Sequence, residues 1–267
     1  SSSGDDEVFV VEANENGIES EILRTPVFAS DYGRYRFNPS GKWRIIFPYV
    51  SDNGKFRLLS ETEIKKKYPK AFAYLASKQS ALKKRKQFRE WFGYSAARNL
   101  DLHDRAQIIV PLLADRGLFA LLPDNSRGKL CPMASGGFTI TVSNNCPEKT
   151  EYVLGLLNSR LLFWCLQQMS NIFRGGWITC TKQYFGELPI HTIDFTSPAD
   201  VTRHDRMVSL VNAMLDLHKQ LAAVRTADEK TAIQRIIDAT DKEIDRLVYE
   251  LYELTEEEIG IVEEALP

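Results

Sequence analysis

Long apolar runs are missing from this sequence: no stretch approaches the roughly 18 to 20 apolar residues that span a bilayer. The start, Ser1 to Glu7, is polar and acidic, whereas an export signal is basic and then apolar. These two absences predict no membrane partner and a cytoplasmic location. Cysteine and histidine are scarce as well. Cys131, Cys146, Cys165 and Cys180 form no C-x-x-C pair, and His103, His191, His204 and His218 make no metal-ligand pattern with them. Reduced thiols and no metal site are expected. Three catalytic signatures are also absent. No G-x-G-x-x-G follows a strand to hold a nucleoside cofactor, and no G-x-x-x-x-G-K-[ST] loop cradles phosphates. Nor is there a [DNS]-P-P-[YFW] tetrapeptide, in which a polar side chain and a carbonyl hold an adenine amino group while an aromatic ring stacks on the flipped base. No catalytic residue is therefore assigned.

What is present is ample for folding. The chain has 267 residues, 43% hydrophobic and 26% charged, enough for one large or two small domains. Net charge is only −2, but its distribution is uneven. From Glu61 to Leu100 there are eleven basic residues against three acidic ones, while from Ala199 to Pro267 eight basic residues face sixteen acidic ones. A basic body joined to an acidic helical end suits a nucleic-acid face in one place and a partner face in another.

Runs rich in branched and aromatic residues at Val8–Glu12, Trp43–Tyr49, Gln107–Pro111, Phe119–Leu122 and Phe138–Val142 predict an irregular sheet. Ser60-Glu61-Thr62-Glu63 has the S-x-x-E form of a capping box, and Pro69 predicts the start of a second helix with the apolar stripe Phe72, Leu75, Leu82. Apolar residues all round the segment Glu151 to Met169 predict one buried helix. Val201–Val224 and Thr226–Leu254 predict a helical hairpin, with Met207, Leu210, Val211, Met214, Leu217 and Leu221 facing Ile233, Ile236, Ile237, Ile244, Leu247, Val248 and Leu251. Thr255 caps a last short helix. The fold class is therefore α+β: residues 1–20 as a linker or N-terminal remnant, 21–195 as a recognition domain, and 196–267 as a C-terminal helical region. Ser1 to Gly4 reads as a linker or an expression scar, and further chain upstream is expected.

Several segments could touch nucleic acid. Gly175-Gly176 permits a tight turn or a close approach to a phosphate, and Arg174 beside it could pair a phosphate or read guanine with both guanidinium nitrogens. Thr179, Thr181, Lys182 and Gln183 add short polar groups and a cation. A hairpin bracing a sheet is the structural alternative. Lys83, Lys84 and Lys86 fall outside the apolar stripe, as either a solvated helix face or phosphate contacts. Arg98, Asn99 and His103 are base or phosphate candidates, unless the histidine is structural. Ser135-Gly136-Gly137 reads as a plain turn. Glu61-Thr62-Glu63 and Glu63-Ile64-Lys65 read as helix-start carboxylates rather than as part of a nuclease site.

Asn171 to Ile190, together with Tyr152 to Arg160, resembles the LLNS…FRGG[YW]…TKQY…LPI signature of TaqI-like C-terminal specificity domains, found in class II-G restriction enzymes and adenine methyltransferases. Leu23 to Tyr35 resembles the opening of that family, Trp91 to Tyr94 with Ile108 to Pro111 its middle, and Ile244 to Tyr252 its last helix, so the likeness covers about residues 20 to 264. The resemblance implies a non-catalytic reader of double-stranded DNA. It also implies an upstream methyltransferase domain that binds S-adenosylmethionine. A competing function is an assembly module, in which the helices of Ala199–Leu254 hold a partner subunit and DNA contact is minor.

Overall fold

The computed structural model describes residues 6–13, 17–97, 99–124, 128–133, 135–173 and 175–265. The fold is α+β, with eleven α-helices and several small sheets among the described residues. None of those helices is long and apolar enough to cross a membrane. The chain divides into two compact units, one of Ser1–Asp31, Pro39–Ala106 and Pro123–Ala134, the other of Tyr32–Asn38, Gln107–Leu122 and Ser135–Pro267.

The first unit is built on a four-stranded sheet in the order Val10–Glu12, Trp43–Ile46, Leu23–Val27, Leu130–Pro132. The last pair is parallel and the others are antiparallel. A hairpin joins Tyr49–Asp52 to Lys55–Leu58 through Asn53 and Gly54, both at positive φ, as a two-residue turn that keeps the strand twist demands. Phe9, Ile46, Ile64, Leu75, Leu82 and Phe92 form the buried centre of this unit. Two local signals are met as predicted. Ser60 accepts from the Glu63 amide at 3.2 Å while Glu63 accepts from the Ser60 amide at 2.8 Å, completing the capping box of the helix Glu61–Lys67. Pro69 opens the helix Pro69–Ser77, where its missing N–H costs nothing. The run at Val8 differs from expectation. Asp6–Phe9 is a single helical turn and the strand begins only at Val10, which lets Val8 and Phe9 both turn into the core.

The second unit has a three-stranded antiparallel sheet, Ala120–Leu121, Ile108–Val110, Phe138–Ile140, covered by helices. The buried segment predicted as one helix is two, Thr150–Asn158 and Arg160–Met169. Ser159 takes an extended backbone between them and its hydroxyl accepts from the Leu162 amide at 3.3 Å, so a capping side chain ends one helix and starts the next. Pro198–Ala223 and Ala227–Leu251 form the helical hairpin, capped by Ser197 and Thr226. Met207, Val211 and Met214 are buried with Ile237, Ile244, Leu247 and Val248. Ile236, assigned to that seam from the sequence, instead faces solvent, because its neighbour Ile237 takes the inward position. The hairpin packs tightly on Thr150–Asn158: a Cβ added to Gly155 would lie 2.5 Å from the Met207 sulfur.

Candidate nucleic-acid interface

In the second unit, six of the candidate residues fall on one short stretch of chain. It starts where the helix Arg160–Met169 ends. Strand Leu113–Ala114 pairs antiparallel with Ile178–Thr179, and an isolated bridge between Ile172 and Ile178 adds a third edge. The turn is closed by the Phe173 amide donating to the Trp177 carbonyl at 2.6 Å and the Gly176 amide donating to the Phe173 carbonyl at 3.2 Å. Gly175 and Gly176 have φ of +82° and +79°, a region that L side chains enter only under strain. Arg174 lies outside the described residues.

Beyond the turn, Thr179 is half-buried and its carbonyl accepts from the Ser170 hydroxyl at 2.8 Å. Cys180 is buried, and that burial pushes its thiol up to about 12, so it stays protonated. Thr181 precedes the short helix Lys182–Phe185 without capping it through its side chain. Lys182 and Gln183 are exposed at its start. Phe185 fixes the helix by packing edge-on against Phe119 and Phe138, at centroid distances of 5.5 and 5.3 Å. The ribbon thus has a rigid root and presents polar and cationic groups at its surface.

The remaining candidates lie in the first unit. Lys83, Lys84 and Lys86 are exposed around the end of the helix Gln79–Lys83. Arg85, in the middle of that cationic run, is committed to structure. Its guanidinium donates to the carbonyls of Leu82, Gly93 and Trp91 at 2.8, 2.9 and 2.6 Å. Asn99 is exposed at φ +54°, the start of the short helix Leu100–His103. His103 ends that helix with Nδ1 buried and unpaired. Burial, and then the positive charge of Arg24, hold its pKa below the usual imidazole value, so it is neutral at neutral pH. Arg24 itself pairs with Asp104 at 2.8 Å and stacks 3.7 Å above the Phe47 ring. Arg98 lies outside the described residues. Among those described, no group of three or more His, Cys, Asp or Glu could hold a metal ion.

A second set of residues in the signature segments is internal. Arg34 bonds both carboxylate oxygens of Asp241, the Gly117 carbonyl at 3.2 Å and the Asn158 carbonyl. The Asn158 side chain exchanges two hydrogen bonds with the backbone of Phe119, each 3.0 Å. Asp245 accepts from the Arg160 amide at 2.8 Å, and Arg160 reaches Glu263 at 3.2 Å. Tyr252 receives the His191 amide at 2.9 Å and donates to the Pro189 carbonyl.

This chain resembles a restriction–modification protein. It is 26% identical over 233 residues to the type II restriction enzyme and methyltransferase RM.Eco57I of Escherichia coli. The match covers 82% of this chain and 23% of the relative, so the chain spans about a quarter of the length of the curated relative it matches. No family model matches. With that likeness in view, two features of the ribbon had no sequence signal strong enough to assign them. Arg116 is 71% exposed two residues beyond the strand that edges the ribbon. Phe173 and Trp177 are 53% and 40% exposed, although aromatic residues read from sequence as core.

Proposed function

We propose that this chain is a TaqI-like specificity domain that binds double-stranded DNA and reads its sequence for an adenine-N6 methyltransferase of a restriction–modification system. The observation that carries this is the match of 82% of the chain to part of a restriction enzyme and methyltransferase. The exposed cations support it: Lys83, Lys84 and Lys86 in one unit and Lys182 in the other offer charges to phosphates. S-adenosylmethionine would sit in the partner methyltransferase domain. The paired glycines here, Gly136–Gly137 and Gly175–Gly176, lead into strands rather than helices, so neither turn fits a nucleoside cofactor whose phosphate or carboxylate needs a helix N-terminus.

Titrating the chain into a fluorescent mixed-sequence duplex over a salt series tests this reading. Binding should weaken linearly on logarithmic axes. Replacing Lys83, Lys84 and Lys86 together by alanine should flatten the slope by up to about 2.7, roughly 0.9 for each phosphate that is no longer neutralised, with base preference unchanged. Absence of binding at low salt overturns the proposal. Arg174→Ala in a protein that also holds the methyltransferase domain should cost about 1 to 3 kcal/mol at one base pair if the guanidinium reads guanine. An even loss over all sequences identifies a phosphate contact. The isolated chain should transfer no methyl group from S-adenosylmethionine to DNA, and labelled product would refute that.

A further inference from the structure

The ribbon has a face that phosphate binding leaves unused. Successive side chains of a strand alternate between its two faces. Trp177 immediately precedes the strand Ile178–Thr179, two residues before Thr179, Phe173 lies across from Trp177, and Leu113 lies across from Thr179. The four therefore share one face, while Ile178 between them is turned inward and fully buried. Phe173, Leu113 and Trp177 are large apolar residues, and all three are substantially exposed, Leu113 at 48%. Two of the three residues between Phe173 and Trp177 are glycines. A Cβ at Gly176 would meet nothing within 4 Å, and one at Gly175 only the Trp177 ring at 3.7 Å. Between Ser170 and Gly186 the sequence holds two cations and no carboxylate. Ile172 and Leu112 are exposed beside them and Asp115 follows Leu113–Ala114, but the turn segment itself carries cations and no carboxylate, which is complementary to a polyanion with apolar bases at the floor of its grooves.

We infer that Phe173 and Trp177 form an apolar wedge that enters a groove of duplex DNA and packs against the bases, loosening the stack at one step. This inference rests on the DNA-reading function proposed above. A two-stranded ribbon fits the major groove, which is about 12 Å wide, and wedges of this kind offset the cost of unstacking with the apolar area they bury. The wedge adds a contribution to binding that salt does not screen, alongside the lysines that salt does.

The test uses the chain with a mixed-sequence duplex and two readouts. In the first, acrylamide quenching of tryptophan fluorescence is compared for wild type and Trp177→Phe, so that the difference isolates Trp177. DNA should shield it. In the second, the Phe173→Ala/Trp177→Ala double variant should bind about tenfold or more weaker at both low and high salt with the salt slope unchanged. Phe173→Leu/Trp177→Phe, which keeps the apolar volume, should restore most of the affinity. DNA binding that leaves Trp177 open to acrylamide overturns the wedge, whether or not the double variant is weaker. Unchanged affinity of the double variant also overturns it, assigns the face to a protein partner, and leaves the proposed function standing. Failure of the wild-type chain to bind DNA overturns both.

Discussion

The internal network around Arg34 and the ribbon that follows Met169 lie in the same unit, and both hold residues of the recognisable signature, yet they use them in opposite ways. Around Arg34, most polar groups have found a partner from a distant part of the chain, with Asp241 lying 207 residues away, and the buried Tyr35 hydroxyl is the exception. A guanidinium, two carboxylates and a carboxamide are held there by each other and by backbone, so little is left over for a ligand. On the ribbon, Lys182 and Gln183 point to solvent and two aromatic rings remain half in water. One pattern in the sequence therefore has two meanings. Part of it ties Tyr32–Asn38, the pair of helices around Ser159 and the C-terminal hairpin into one unit, and part is displayed by the unit so formed.

The largest effect that should separate the two regions is on stability. Arg34→Met strands Asp241 and two carbonyls, and should lower the unfolding free energy by about 3 kcal/mol, the scale for removing one partner of a largely buried pair. Phe173→Ala/Trp177→Ala should change it by less than about 0.5 kcal/mol. Urea unfolding of the three proteins decides this, and equal losses would erase the distinction.

Asp245 supplies a pH test of the same network. Burial raises its pKa to about 6, with the Asp241 charge adding to the rise, while the Arg160 amide and the Arg34 and Arg160 charges oppose it. Unfolded, the group titrates near 4, so the folded chain holds the proton more tightly. The resulting stabilisation is complete below about pH 4 and is lost as pH rises through 6, on the order of 2 to 3 kcal/mol. Asp245→Asn keeps an acceptor for the Arg160 amide and should remove that decline. A variant with the same slope as wild type between pH 4 and 7 would show that Asp245 is not its source.

Two glycines sharpen the comparison at smaller scale. Gly155→Ala forces a Cβ against Met207 inside the packed helices and should cost about 1 to 3 kcal/mol. Gly176→Ala meets open space and should cost only the left-handed backbone penalty, about 1 kcal/mol. Thermal melts of both variants test the order. The reverse order would mean that the ribbon tip is packed more tightly than its surroundings show.

How far the sequence could be read follows the range of the interactions. Caps at Ser60 and Thr255 depend on residues three apart and were legible, as were the two long helices, whereas the caps at Ser197 and Thr226 were not named in advance. Strand Leu23–Val27 was not, because Pro26 argues against a strand and its place is set by Leu130–Pro132, more than a hundred residues on. The break at Ser159 was missed because strongly apolar positions flank Asn158-Ser159-Arg160 on both sides and read as one buried helix. For the candidate interface, the glycine turn and its polar neighbours could be named in advance, whereas the exposure of Phe173 and Trp177 depends on which face of a two-residue strand pair the core claims. Nor could Arg85 be told from Lys83, Lys84 and Lys86 by charge alone, since only the folded loop brings the Gly93 and Trp91 carbonyls to its guanidinium.

The parallel pairing of Leu23–Val27 with Leu130–Pro132 sets a timetable for synthesis. By Ser135 the chain has passed between the two compact units five times. An early strand thus waits with an open edge until more than a hundred further residues have emerged, and such non-local closure is slow. The nascent first unit stays incomplete for that interval and is exposed to mispairing in the cell. Shortening the chain before Leu130 would leave that edge without its partner for good, and no single cut in the gene yields either unit free of segments of the other.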